Sequence, residues 1–159
     1  SSMALVHDHL YHSENIARID IRDYITALTG TILDSYYIDP ERLHLSYDIE
    51  ELYLGIDQAI PCGLILTELI TNSIKYAFMP AEEERAELSI TVAADGDLVI
   101  IKVADNGPGF ENEGDWRNTE SLGLRLVDAL ADQLQADISV TGEKGMIWQL
   151  QFQKGGNDQ

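Results

Sequence analysis

The chain reads as an α+β domain: a two-layer sandwich in which a mixed, mostly antiparallel sheet is covered by helices on one face. Three observations predict this. Apolar residues recur at helical spacing in three segments, alternate with polar ones in several others, and the two kinds fall into separate runs. Strict strand–helix alternation is absent, and no strand leads into a Walker-type glycine loop. The 159 residues suffice for one domain with its own core.

In chain order, Leu5 to Asn15 is polar, with three histidines, and reads as a short helix or the tail of one. Asp20 is the expected N-cap of a helix carrying Ile21, Tyr24, Ile25, Leu28, Ile32 and Leu33 and ending near Tyr36. Asp39-Pro40 marks a turn. Leu43 to Ile49 alternates as a strand with one buried face, and Leu52 to Leu54 is a second short strand. A longer helix is expected from Asp57 to about Phe78, with Pro61 in its first turn, where a missing N–H costs little. Met79-Pro80 ends it, and Glu82 to Glu84 is a solvated loop. Two strands, Glu87 to Ala94 and Leu98 to Ala104, flank a hairpin turn at Asp95-Gly96-Asp97. A stretch rich in Gly, Asn and Asp leads from Asp105 to a helix over Leu122 to Leu134. Strands at Asp137 to Thr141 and Met146 to Phe152 close the domain. Cys62 and Trp148 read as core residues.

Charge excludes some functions. Ten basic residues against 28 acidic ones leave a net charge of −18. Neither a nucleic-acid backbone nor an anionic membrane surface suits such a protein. A small anionic ligand remains possible where the site builds its own positive potential. The single cysteine rules out an intrachain disulfide and favours a reducing compartment. There is no apolar run of membrane-spanning length, and no signal peptide is expected. Ser1-Ser2-Met3 reads as an added remnant, so the chain is expected to be a fragment of a longer protein.

Three constellations carry chemistry. On the long helix, at about 100° per residue, Glu68, Asn72 and Lys75 fall within an arc of about 60°, opposite most of the apolar residues. Asp105-Asn-Gly-Pro-Gly109 follows a buried strand, where Gly107 and Gly109 let the backbone turn sharply and approach a ligand. Leu122-Gly123-Leu124 opens a helix whose free N–H groups and dipole favour an anion. Each alone has a plain structural reading: a solvated helix face, a surface turn, close helix packing.

In this order, Glu68-Leu-Ile-Thr-Asn72-Ser-Ile-Lys75-Tyr-Ala77, Asp105-Asn-Gly-Pro-Gly109 and Leu122-Gly-Leu124 resemble the asparagine box and the two glycine boxes of the sensor histidine kinase ATP-binding domain. That domain has the Bergerat ATPase fold, shared with gyrase and with chaperone and mismatch-repair ATPases. The likeness spans roughly Asp39 to Phe152. Leu10 to Ile16 and Asp20 to Ile25 resemble the end of the dimerisation helices and the first helix after them. The subfamily is the one whose acceptor motif begins His-Arg-x-Lys-Asn-Asn. The implied layout is a tail of the dimerisation region over 1–19, a catalytic domain over 20–154 and a flexible end over 155–159.

The resemblance implies roles. Asn72 would hold Mg²⁺ against the ATP phosphates, and Glu68 would take the proton from an attacking imidazole. Lys75 would contact phosphate. Asp105 would accept from the adenine amino group. Gly107 and Gly109 would hinge a lid, and Leu122, Gly123 and Leu124 would meet the phosphates, with Arg117 or Arg125 as further positive charge. The implied activity is transfer of the γ-phosphoryl of ATP to a histidine outside this chain, in two-component signalling, in the cytoplasm. The implied partners are the dimerisation helices of a homodimeric full-length protein and a response regulator. The rivals are an anti-sigma-factor-type serine kinase of the same fold and a degenerate scaffold.

Four departures stand out. The acceptor motif is absent, and His7, His9, His12 and His44 lack its context. The lid from Phe110 to Glu120 is short, with Phe110 and Trp116 as its aromatics. Lys144-Gly-Met146 replaces the family's Gly-Gly-Thr, which puts a threonine contact near adenine in doubt. Tyr76 stands where the family often has His.

Overall fold

A computed structural model describes residues 18–78, 86–108, 121–142 and 145–155. Its centre is a five-stranded sheet built from β2 (Leu43–Ile49), β4 (Ala86–Asp95), β5 (Leu98–Asp105), β6 (Asp137–Thr141) and β7 (Ile147–Gln153), in the order β2-β4-β5-β7-β6. Only β2 and β4 pair in parallel, because a helix crosses over between them; the other three ladders are antiparallel. A two-residue strand β1 (Ile19–Asp20) pairs with β3 (Tyr53–Leu54) beside this sheet.

The period-2 pattern decides which face is covered. Leu88, Ile90 and Val92 of β4, Val99, Ile101 and Val103 of β5, and Trp148, Leu150 and Phe152 of β7 are all buried. Their neighbours along the strands, such as Glu87, Lys102 and Ile147, are exposed. Three helices cover the apolar face: α1 (Ile21–Ser35), α2 (Ile56–Ser73) and α3 (Leu122–Leu134). This is the expected two-layer sandwich, with one mixed sheet and helices on one side.

Local chemistry explains most element ends. Asp20 caps α1, its carboxylate accepting from the N–H of Arg22 and Asp23. The Arg22 guanidinium donates to the carbonyl of Ile49 and ties α1 to the end of β2. Asp39 holds its turn by accepting from Glu41 N at 2.9 Å. The β4–β5 hairpin closes on Gly96-Asp97, with Gly96 at φ +63°, a conformation open to glycine. Ser121 caps α3 and accepts from Leu124 N.

Several boundaries differ from expectation. α2 starts one residue earlier, at Ile56, with Gly55 at its N-cap and no side-chain cap. Pro61 therefore sits in the second turn, where its missing N–H removes one helical bond, and burial of its ring offsets part of that cost. The α-helix also stops at Ser73, and Ile74–Phe78 winds as a π-helical turn. The last strand begins at Ile147, because the Met146 N–H donates to the Asp105 side chain and not to the β5 backbone. Periodicity gave no sign of β1, which is two residues long.

Glycine sets one of the helix contacts. A Cβ on Gly63 of α2 would lie 1.9 Å from the Tyr24 hydroxyl of α1, so only glycine lets these helices approach as they do. Cys62, beside it, is buried, and desolvation pushes its thiol up to about 12. It is a core thiol, as expected, and Trp148 is a core residue too.

Candidate nucleotide-binding site

The site is assembled where the C-terminal half of α2, the start of α3 and the end of β5 meet. Asp105 is the last residue of β5, and β4 and β7 flank it on either side. Its backbone N–H still donates to Met146 carbonyl at 2.9 Å. The next residue leaves the ladder but stays anchored, since the Asn106 amide oxygen accepts from Glu87 N at 2.8 Å. The chain is thus rigid up to the point where the glycine-rich segment starts.

The Asp105 carboxylate is held by three donors. Oδ1 accepts from Gly107 N at 3.0 Å and from Met146 N at 3.2 Å. Oδ2 accepts from the Ser73 hydroxyl at 2.7 Å. Three bonds from three separate segments fix both position and rotation, as charge-assisted bonds do. Met146 contacts Asp105 through its main-chain N–H, which any residue but proline supplies.

Glu68 and Asn72 lie one helical turn apart on α2, both half-buried. Glu68 reaches the start of α3: a Cβ on Gly123 would stand 2.4 Å from Glu68 Oε2. Gly123 therefore makes room for that carboxylate. Asn72 precedes Ser73, the residue that bonds Asp105. One helix thus carries Glu68 toward α3 and, through Ser73, holds the aspartate at the end of β5.

The other expected site residues differ in exposure. Lys75 lies in the π turn and is exposed, so its azimuth departs from the α-helical wheel that grouped it with Glu68 and Asn72. Leu122 is 80% exposed at the mouth of α3, whereas Leu124 is buried in the core and its N–H is engaged by Ser121. Leu124 thus serves packing, and its N–H is not offered to a ligand. Arg125 is exposed on α3. Gly109, Phe110, Trp116 and Arg117 lie outside the described residues, as do His7, His9, His12 and the acidic loop Glu82 to Glu84. His44 is exposed on the uncovered face of the sheet, where it lines a shallow depression of about 380 Å³ with Ser46, Glu87 and Ser89. Ala104, Asp105 and Asn106 also line it, while the Asp105 carboxylate bonds to Ser73 of α2.

Two residues of the site escaped the sequence reading. Ser73 gave one signal, a small hydroxyl inside an apolar helical run, and that is ambiguous. Gly145 has φ +94°, and a Cβ there would lie 2.0 Å from the Asp105 carbonyl oxygen. It lets the loop before β7 pass directly over the end of β5.

The comparisons with known proteins bear on this arrangement. Residues 57–155 match the family described as histidine kinase-, DNA gyrase B-, and HSP90-like ATPase. The chain belongs to this ATPase family. Residues 1–36 match a second model, described as histidine kinase. The sensor histidine kinase PdtaS of Mycobacterium tuberculosis is 32% identical over 133 residues, covering 82% of this chain and 25% of that protein. The blue-light-activated histidine kinase 2 of Erythrobacter litoralis is 32% identical over 93 residues, 58% of this chain and 27% of that one. The chain thus spans about a quarter of the curated relatives it matches. The histidine kinase domain of an Erythrobacter litoralis blue-light-activated kinase superposes with a TM-score of 0.82 at 20% identity, covering 96% of this chain and 71% of that one. The catalytic domain of histidine kinase ThkA gives a TM-score of 0.67 at 18% identity, covering 88% and 97%. These structures share the fold of this ATPase domain.

Proposed function

We propose that this chain is the ATP-binding catalytic domain of a sensor histidine kinase, which passes the γ-phosphoryl of ATP to a histidine on dimerisation helices outside this chain. The observation that carries the reading is the Asp105 carboxylate, fixed by three donors at the end of β5 and joined through Ser73 to the helix that bears Glu68 and Asn72. A carboxylate held this firmly is a pre-set acceptor for an amino group such as that of adenine.

The remaining roles belong to the same proposal. Asn72 offers an amide oxygen and Glu68 a carboxylate, both half-buried on one face of α2. Mg²⁺ would be held by the Asn72 amide oxygen, with phosphates and water completing its shell, and would neutralise phosphate charge. Among the described residues there is no cluster of three His, Cys, Asp or Glu side chains that could hold a metal, so the nucleotide itself would supply much of the coordination. In this reading Glu68 would accept a proton from an incoming imidazole, and Gly123 would meet the phosphates at the start of α3. Lys75, Gly107 and Gly109 complete the phosphate-and-lid reading. The net charge of −18 opposes an approaching polyphosphate, so binding should depend strongly on a divalent cation.

The domain layout belongs to the same proposal: a dimerisation-helix tail over 1–19, a catalytic domain over 20–154 and a short end over 155–159. The match of residues 1–36 to the histidine kinase model supports it. A homodimeric full-length protein, a response regulator partner and a cytoplasmic setting complete the reading. No helix among the described residues is long and apolar enough to cross a membrane.

Calorimetric titration with ATP, with and without Mg²⁺, tests the nucleotide site. Mg²⁺-dependent binding that weakens in both Asn72→Ala and Asp105→Ala supports the proposal. No binding at millimolar ATP overturns it. Incubating the full-length protein with ATP tests the acceptor: acid-labile phosphate is the expected product, and acid-stable phosphate would point to a serine kinase.

A further inference from the structure

Ser73 is one of two buried polar residues among those described, 6% exposed, and it is the last residue of α2 before the helix widens into the π turn. Its hydroxyl donates to Asp105 Oδ2 at 2.7 Å, the shortest of the three bonds to that carboxylate. A carboxylate offers about four lone-pair sites, two on each oxygen. On Oδ1 both are used, by Gly107 N and Met146 N. On Oδ2 the Ser73 hydroxyl uses one. One acceptor site is left, and it lies on the oxygen that Ser73 orients.

We propose that Ser73 is a positioning residue for base recognition: by occupying one lone pair of Asp105 Oδ2, it fixes the direction of the single remaining acceptor, so the site reads the 6-amino group of a purine. The proposal rests on the nucleotide-site reading above. A purine that carries a carbonyl at this position presents an acceptor to an acceptor and is rejected. A purine with hydrogen there leaves the site unpaired but unopposed. Ser73 touches neither phosphate nor the transferred group in this scheme. It acts only through Asp105.

The test measures binding of ATP and of purine riboside triphosphate, which lacks the 6-amino group, to the unmodified protein and to Ser73→Ala. The unmodified protein should prefer ATP. Ser73→Ala should lose about tenfold in ATP affinity, the scale of one bond to a charged group, and should bind the analogue unchanged. A residue that only supports the fold would weaken both ligands equally, and that result overturns the proposal. So does an unchanged ATP affinity. Equal affinity of the unmodified protein for the two nucleotides would show that the amino group is not read, and would remove the basis of the proposal while leaving a nucleotide site. Failure to bind either nucleotide would overturn the nucleotide reading itself. Ser73→Cys, which keeps the volume and weakens the donor, should give an intermediate ATP loss with the analogue again unmoved. It decides the matter should circular dichroism show Ser73→Ala to be unfolded.

Discussion

Two helix–helix contacts use the same device for opposite ends. At the α1–α2 contact, Gly63 makes room for the Tyr24 hydroxyl, and the whole neighbourhood is buried. At the α2–α3 contact, Gly123 makes room for Glu68 Oε2, and both residues are half-buried. A missing Cβ admits a neighbour in each case. What differs is the intruding atom. The first is the tip of an aromatic ring locked in the core, which cannot retreat. The second is the end of a flexible, half-buried carboxylate, which can. The first glycine therefore serves the fold, and in the proposed reading the second serves the nucleotide site. Spacing in the sequence does not separate them; the burial of the partner does.

The largest effect should come from Gly63→Ala. A Cβ 1.9 Å from the Tyr24 oxygen forces α1 and α2 apart, and overpacking of this kind costs about 1–3 kcal/mol, up to the upper end here. Thermal denaturation should show a clear drop in melting temperature, while ATP affinity of the folded fraction stays the same. A drop in affinity as large as the drop in stability would erase the distinction between the two contacts.

Asp105→Asn should come next, on the other side of the comparison. The amide keeps the shape but brings an N–H₂ where an acceptor is needed, and it loses charge-assisted bonds from Ser73, Gly107 and Met146. ATP affinity should fall at least tenfold, the cost of about one bond to a charged group. Titration calorimetry reads it directly. An unchanged affinity would remove Asp105 from the site.

The sequence showed the fold better than it showed these pairings. α3 and β2 have the expected bounds because Ser121 caps α3 and alternation marks β2. The covered face was legible because Leu88, Ile90 and Val92 alternate with residues that face outward. The π turn was not legible: nothing in Ile74 to Phe78 breaks the apolar period, so Lys75 was placed by an α-helical rule that fails after Ser73. At the proposed site, Glu68, Asn72 and Asp105 were recognisable from the resemblance. Ser73 and Gly145 were not, because their roles depend on residues 32 and 40 positions away, and such contacts leave no local pattern.

A smaller effect is expected at high pH. Burial raises Cys62 from 9.0 to about 12 and raises Tyr24 as well. Both groups are held neutral in the fold. Their contribution is complete below pH 9 and is lost as pH rises toward 12 and beyond, because the unfolded chain then gains by ionising. Melting temperature should fall in that window, and Cys62→Ala should flatten part of the fall. A thiol reagent at pH 8 should leave Cys62 unmodified until the protein unfolds.

The smallest change in stability should accompany Gly123→Ala, and it tests the central claim most directly. Alanine favours the helix over glycine by about 0.5–1 kcal/mol, which offsets the displacement of the Glu68 carboxylate. The measurement is the melting temperature of Gly123→Ala and Gly63→Ala, each with and without saturating Mg·ATP. The account predicts that Gly123→Ala melts near the unmodified protein but loses most of the shift given by Mg·ATP, while Gly63→Ala melts much lower and keeps the full shift. An undiminished shift in Gly123→Ala would contradict the assignment of the α2–α3 contact to the nucleotide site.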